Sequence, residues 1–237
     1  MRIVLLRHGE TDRNTADLFQ GQADVPLNEA GGRQARQVAE TLSPGAWSAV
    51  YSSPLTRAVE TASYAASRLR VPHHLVHGLR ERHLGDLDGR DRAAFAREHP
   101  RTLRRLLDDL DYAPDGGESG RAVLSRAARA LGDIARAERG TGGAVLVVTH
   151  GGVVNLLGLA LTGGAPGARP LVATCTATCL DIEWPPEGGP RAALRAGGVP
   201  ARDCEPDVTP EADPGGPSVA LDSLVSDRPD HEKAPRP

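Results

Sequence analysis

Aromatic residues are scarce, 3 % of a 237-residue chain. Any core must therefore be assembled from alanine, valine and leucine. Cysteine is scarce as well, with only Cys175, Cys179 and Cys204. An odd number without framework spacing excludes a disulfide-stapled secreted fold and points to a reducing compartment. Cys175 and Cys179, four apart in a segment that reads as a strand, are expected on one face as small buried apolar residues. No histidine or second cysteine pair completes a zinc set around them. Long apolar runs are also missing. The run at residues 3–6 is too short for a signal-peptide core, and no stretch approaches the ~20 apolar residues of a membrane span. The expectation is a cytoplasmic protein with no membrane partner.

Charge is unevenly spread. The net value is −3, yet nine acidic residues face three basic ones between Asp203 and Pro237. The first 202 residues are thus mildly basic. That balance suits a small anionic substrate and is too weak to argue for nucleic acid. In the same tail, proline, glycine, aspartate and serine replace hydrophobic runs, so it cannot bury enough apolar surface to offset its ordering entropy. Residues 201–237 are expected to be an acidic, disordered tail behind a domain spanning residues 1–200.

Two apolar runs end alike. Ile3-Val4-Leu5-Leu6 runs into Arg7-His8-Gly9, and Ala144-Val145-Leu146-Val147-Val148 runs into Thr149-His150-Gly151-Gly152. In open α/β sheets, ligands bind at the carboxyl ends of strands, which suggests that the two histidines meet on one phosphate. Further candidate strands are residues 49–52, 74–76, 172–184 and 192–195. Helical periodicity appears after Asn28, a plausible N-cap, and from about 120 to 139, where Val123, Ala127, Leu131 and Ile134 form a stripe. Ser53-Pro54 reads as an N-cap with proline at the first helical position. Leucines 103, 106, 107 and 110 form an amphipathic stripe within a helical lid at about 90–115. Strands alternating with helices predict a three-layer α/β/α fold with a largely parallel central sheet.

Phosphoryl chemistry needs cations, donors and an in-line nucleophile. Arg7 and Arg57 are candidate clamps for phosphoryl oxygens. His8 is the candidate nucleophile, since a neutral imidazole attacks at pH 7 without further activation. A protonated His150 would steady charge on the equatorial oxygens, and Glu81 would serve the leaving group as acid and then base. Ser53 has no accompanying base motif and is better explained as a cap. His83 has the best claim among the other histidines to a place at the edge of the site.

These residues sit in motifs: Arg7-His8-Gly9-Glu10-Thr11 with Asn14, Ser52-Ser53-Pro54-Leu55 with Arg57-Ala58, Leu79-x-Glu81 with Gly85, Gly117-Glu118-Ser119, and Thr149-His150-Gly151-Gly152. Together, over about residues 2–196, they resemble the histidine phosphatase superfamily, the phosphoglycerate mutase-like clan. The resemblance implies a phosphohistidine mechanism without metal or cofactor. In it His8 is phosphorylated and oriented by the Gly9 carbonyl, and Glu81 is the proton donor. Arg7, Arg57, His150 and Asn14 surround the phosphate, and Gln20 and Gly21 line the substrate entrance. The implied partner is a small phosphorylated metabolite, and the resemblance admits a homodimer. Arg13 stands before Asn14, where mutases of the group carry tryptophan, which favours a phosphatase over a cofactor-dependent mutase. Retention of every part argues against a non-catalytic phosphate-binding or scaffold protein. The runs Arg80-Glu81-x-His83-Leu84-Gly85-Asp86 and Ala113-Pro114-x-Gly116-Gly117-Glu118-Ser119 further resemble actinobacterial glucosyl-3-phosphoglycerate phosphatases.

Overall fold

The computed structural model describes residues 1–164, 172–205 and 218–225. In chain order the elements are β1 (Arg2–Arg7), α1 (Asp12–Thr15), α2 (Glu29–Thr41), β2 (Trp47–Ser52), α3 (Thr56–Leu69) and β3 (His73–Leu75). They continue with α4 (Arg92–Glu98), α5 (Pro100–Asp108), α6 (Gly120–Ala137), β4 (Ala144–Thr149) and α7 (Gly151–Thr162). Last come β5 (Ala177–Glu183), β6 (Arg191–Val199) and the two-residue β7 (Val219–Ala220). The seven strands form one sheet in the order β3-β2-β4-β1-β5-β6-β7. β3, β2, β4 and β1 are mutually parallel, and β5 to β7 extend the sheet antiparallel.

The alternation of strand side chains explains the three layers. Ile3, Leu5, Val145 and Val147 face a core closed by Val123, Ala127 and Leu131 of α6 and Val153 and Leu157 of α7. Their neighbours Val4, Leu6, Leu146 and Val148 face the opposite core, closed by Ala58, Ala62 and Ala65 of α3. A strand buried on both faces must be apolar at every position, which is why these runs show no polar alternation. Asn28 caps α2 by accepting from the Gly31 N–H at 2.8 Å, as its type predicts.

β1 and β4 are adjacent, with Arg7 in register with Thr149. The chain leaves β4 toward the face covered by α7, whereas α2, after β1, packs beside α3 on the other face. Neighbouring strands whose connections diverge leave a crevice at their carboxyl ends. His8 and His150 are the first residues past those ends.

Above the crevice, α4 and α5 form a cap with its own small core of Phe19, Leu87, Phe95 and Leu106, flanked by Leu84, Leu103 and Tyr112. Pro100 opens α5 at its first turn, where a missing N–H is harmless. Of the leucine stripe, Leu106 is buried whereas Leu107 is 41 % exposed. Arg82 ties the cap to the body, donating to the carbonyls of Leu106 at 2.9 Å, Tyr112 at 2.6 Å and Glu118 at 2.8 Å.

Three expectations need correction. Helix α3 begins at Thr56 behind Leu55, without a side-chain cap. Ser53 still belongs to the sheet edge, its N–H bonded to the Val148 carbonyl at 3.0 Å. Cys175 lies in a turn before β5, and Cys179 is joined to Cys204 by a disulfide with Cα atoms 5.6 Å apart. The β5–β6 hairpin returns the chain beside β5, a proximity that the spacing of 25 residues conceals. Finally, residues 201–205 and 218–225 of the supposed disordered tail are packed: Ala201, Cys204 and Leu221 are buried, and β7 pairs with β6. Arg136 also holds Asp222 through both carboxylate oxygens, at 2.7 and 2.9 Å. A few apolar anchors suffice where the average composition is polar. The expectation for residues 206–217 and 226–237 lies outside the described residues. Among those described, no helix is long and apolar enough to cross a membrane.

Candidate active site

Arg7, His8, Asn14, Gln20, Gly21, Arg57 and Glu81 all line one cavity of about 330 Å³, together with Gly151 and Gly152. His150 is not among the lining residues but packs edge-on against His8, with ring centroids 5.1 Å apart, and is fully buried. His83 is exposed and away from the cavity, so the edge role expected of it is not borne out; only its backbone is engaged, with Glu118.

His8 is held in one tautomer. Its Nδ1 is 2.6 Å from the Gly9 carbonyl, which can only accept, so Nδ1 carries the proton. Nε2 is left with a lone pair and accepts from Arg57 Nε at 3.3 Å. Burial, then the charges of Arg57 and Arg7, hold the imidazole well below the usual histidine range. His8 is therefore neutral at pH 7, with its bare nitrogen on the cavity side.

Arg57 enters from α3 and is 1 % exposed. It donates to the carbonyls of Ala23 at 2.7 Å and Gly21 at 2.9 Å, so it fixes the polar loop after α1 as well as facing His8. Burial pulls its pKa down to about 10, with Glu81 opposing the shift, and it stays charged at neutral pH. Arg7 donates through Nη1 to the Val172 carbonyl, while its buried Nε has no acceptor among the described residues. Gln20 Nε2 is likewise buried without an acceptor. Unpaired buried donors are costly, and both belong to residues that line the cavity with His8.

Glu81 comes from the loop between β3 and α4. Each carboxyl oxygen accepts one backbone N–H: Arg82 at 2.7 Å, and Gly152 in the first turn of α7 at 2.9 Å. A Cβ at position 152 would overlap Glu81 Oε1, so the second glycine of the His-Gly-Gly run leaves room for this close approach. The loop is braced from behind. Arg126 donates to the carbonyls of Gly78, Arg80 and Glu81 and pairs with Glu118, whose carboxylate also accepts from Gln22 and the His83 N–H.

His150 departs from its expected state. Burial, followed by Arg57, His8, Arg126 and Arg7, pulls its pKa well below the usual histidine range. It is neutral rather than protonated in the free protein, because burial strips its charged form of hydration and the neighbouring arginines oppose its charge. Its Nε2 lies 2.8 Å from the Ser53 hydroxyl, and its Nδ1 is buried without a partner. Sequence reasoning missed this use of Ser53. It also missed Arg82 and Arg126 as braces, and Arg92, Asn155 and Val172 as cavity walls.

An unprotonated imidazole nitrogen between two arginines, with a carboxyl group across the cavity, is a constellation for phosphoryl transfer. The family comparison agrees: the profile of the histidine phosphatase superfamily (branch 1) matches residues 3–193, and the chain belongs to that superfamily. Among named relatives, the glucosyl-3-phosphoglycerate phosphatase of Mycobacterium tuberculosis is 36% identical over 166 residues, 68% of this chain and 74% of that protein. The metal-independent phosphoserine phosphatase of Arabidopsis thaliana is 38% identical over 188 residues, 77% of this chain and 78% of that protein. In three dimensions, a mycobacterial glucosyl-3-phosphoglycerate phosphatase in complex with VO3 superposes with a TM-score of 0.74 at 32% identity, covering 84% of this chain and 99% of that one.

Proposed function

We propose that this chain hydrolyses the phosphomonoester of a small metabolite in two steps through a phosphorylated His8. The observation that carries the reading is the His8 tautomer, with Nδ1–H given to Gly9 and an unprotonated Nε2 that accepts from Arg57. In the first step the Nε2 lone pair forms a bond to phosphorus and the bond to the ester oxygen breaks. Glu81, in its acid form, gives that oxygen a proton. In the second step water attacks phosphorus, Glu81 takes back a proton, the N–P bond breaks and phosphate leaves. Arg7 and Arg57 supply fixed positive charge, and the unpaired donors Arg7 Nε and Gln20 Nε2, with Asn14, suit phosphoryl oxygens.

The remaining cavity lining gives the substrate its shape. Leu18, Phe19, Leu84, Leu103 and Leu106 are apolar, and Arg92 of the cap sits over the Phe19 ring at 5.4 Å and pairs loosely with Asp17 at 3.5 Å. That lining suits a metabolite with a second anionic group, and glucosyl-3-phosphoglycerate is the first candidate, ahead of phosphoserine. Purified protein is tested on p-nitrophenyl phosphate and on a panel of phosphorylated acids, sugars and nucleotides, with His8→Ala as control. Arg92→Gln should raise KM for phosphorylated carboxylic acids and leave p-nitrophenyl phosphate unaffected. Equal hydrolysis by His8→Ala and the parent would refute the nucleophile. A cytoplasmic setting fits such metabolites. The Cys179–Cys204 bridge weighs against it, because disulfides persist in oxidising compartments, and counting free thiols in protein from fresh lysate decides between them.

A further inference from the structure

Ser53 is the one residue of the Ser-Ser-Pro-Leu motif whose side chain touches the reaction centre without a role in the steps above. It is fully buried, and its hydroxyl has two partners. The Leu55 N–H donates to Oγ at 3.3 Å, and His150 Nε2 lies 2.8 Å away. A hydroxyl has one proton, and a neutral imidazole has one N–H. If His150 Nε2 carried that N–H, Oγ would accept twice and its own proton would point into the core with no acceptor. If the hydroxyl donates to Nε2, every atom of the pair is satisfied except one. That one is His150 Nδ1, which then holds the imidazole proton and has no acceptor among the described residues.

We infer that Ser53 is a positioning residue that locks His150 in the Nδ1–H tautomer, so that a neutral His150 donates Nδ1–H to the phosphoryl group on His8. This deepens the phosphatase reading and rests on it for the identity of the acceptor. It also resolves the difficulty left by burial. Arg57, Arg7, Arg126 and His8 surround His150 and disfavour its charged form, yet a neutral ring can still stabilise an equatorial oxygen if its proton is on the correct nitrogen. The two histidines then share a tautomer and use opposite atoms: His8 its bare Nε2, His150 its protonated Nδ1.

The test is nitrogen NMR of protein carrying 15N-labelled histidine, with the His150 signals identified by their loss in His150→Gln. The expected result in the free protein is a protonated Nδ1 and an unprotonated Nε2, with the Nδ1–H signal moving when inorganic phosphate is added. A protonated Nε2, or an Nδ1–H indifferent to saturating phosphate, overturns the inference. Kinetics give a second readout. Ser53→Ala should lower kcat about 10- to 100-fold with KM little changed and restore a mixture of tautomers, and Ser53→Thr should recover part of kcat. A folded Ser53→Ala protein with unchanged kcat overturns the inference; if it does not fold, the tautomer in the parent protein still decides. An inactive parent would refute the phosphatase reading, while the tautomer measurement, made without turnover, would still judge Ser53.

Discussion

The ends of β1 and β4 carry the same dipeptide, histidine then glycine, in register on adjacent strands. They hold their imidazoles in different ways. At the β1 end the chain turns into a loop, and the next residue's carbonyl takes the His8 Nδ1 proton. At the β4 end the chain enters α7 directly, so the residues after His150 offer N–H groups rather than a carbonyl, and Gly152 gives its own to Glu81. His150 must find its partner elsewhere, and finds Ser53 at the end of β2. In the proposed mechanism the same sequence element serves as nucleophile where a loop follows and as fixed donor where a helix follows.

Substitutions can break this asymmetry. The largest effect belongs to His8→Ala, which should lower kcat by at least about 10⁴-fold in a phosphatase assay, because the proposed mechanism passes the phosphoryl group through His8. Glu81→Gln should cost about 10²- to 10⁴-fold on an alkyl phosphate and distinctly less on p-nitrophenyl phosphate, whose leaving group needs no proton. Equal losses on both substrates would assign Glu81 to positioning instead. His150→Asn keeps an N–H donor and should cost on the order of 10²-fold. If it matched His8→Ala, the two strand ends would have equal roles and the comparison would fail.

Two smaller effects concern stability. Leu106→Ala empties the small core of the cap and should lose about 2–4 kcal/mol locally, seen as faster hydrogen exchange in α4 and α5 and a raised KM, with kcat on p-nitrophenyl phosphate nearly kept. The buried neutral histidines also make stability depend on pH. Both folded-state values are depressed, so the unfolded chain binds protons that the folded one refuses once pH falls below about 6.5. Their contribution is complete above that pH and is lost as pH falls toward the folded values, at up to about 1.4 kcal/mol per pH unit for each imidazole. Urea unfolding at pH 7.5 and 5.5 measures the slope, and His150→Asn should remove about half of it.

What was legible in the sequence was local. Runs apolar at every position announced buried parallel strands, and motifs at their ends brought Arg7, His8, Asn14, Gln20, Gly21, Arg57 and Glu81 to one cavity. What escaped was set by distant partners. Ser53 looked like a helix cap because Ser-Pro is a local signal, while the atom it serves is 97 residues away. Arg82 carries no local signal, although its guanidinium satisfies three carbonyls of the cap and its flank. The state of His150 depended on how deeply the fold buries it and on the arginines gathered around it. The tail looked featureless because three buried side chains, Ala201, Cys204 and Leu221, vanish in an average over proline, glycine and acid.

The central claim is that phosphoryl transfer passes through His8 Nε2. Rapid acid-free quenching of the protein during turnover of a 32P-labelled phosphomonoester, followed by peptide mapping, tests it directly. The expected result is an acid-labile, base-stable label on the peptide that contains His8, formed and discharged at rates that account for kcat and absent from His8→Ala. Turnover with no such label, or a label on any other residue, would contradict the account.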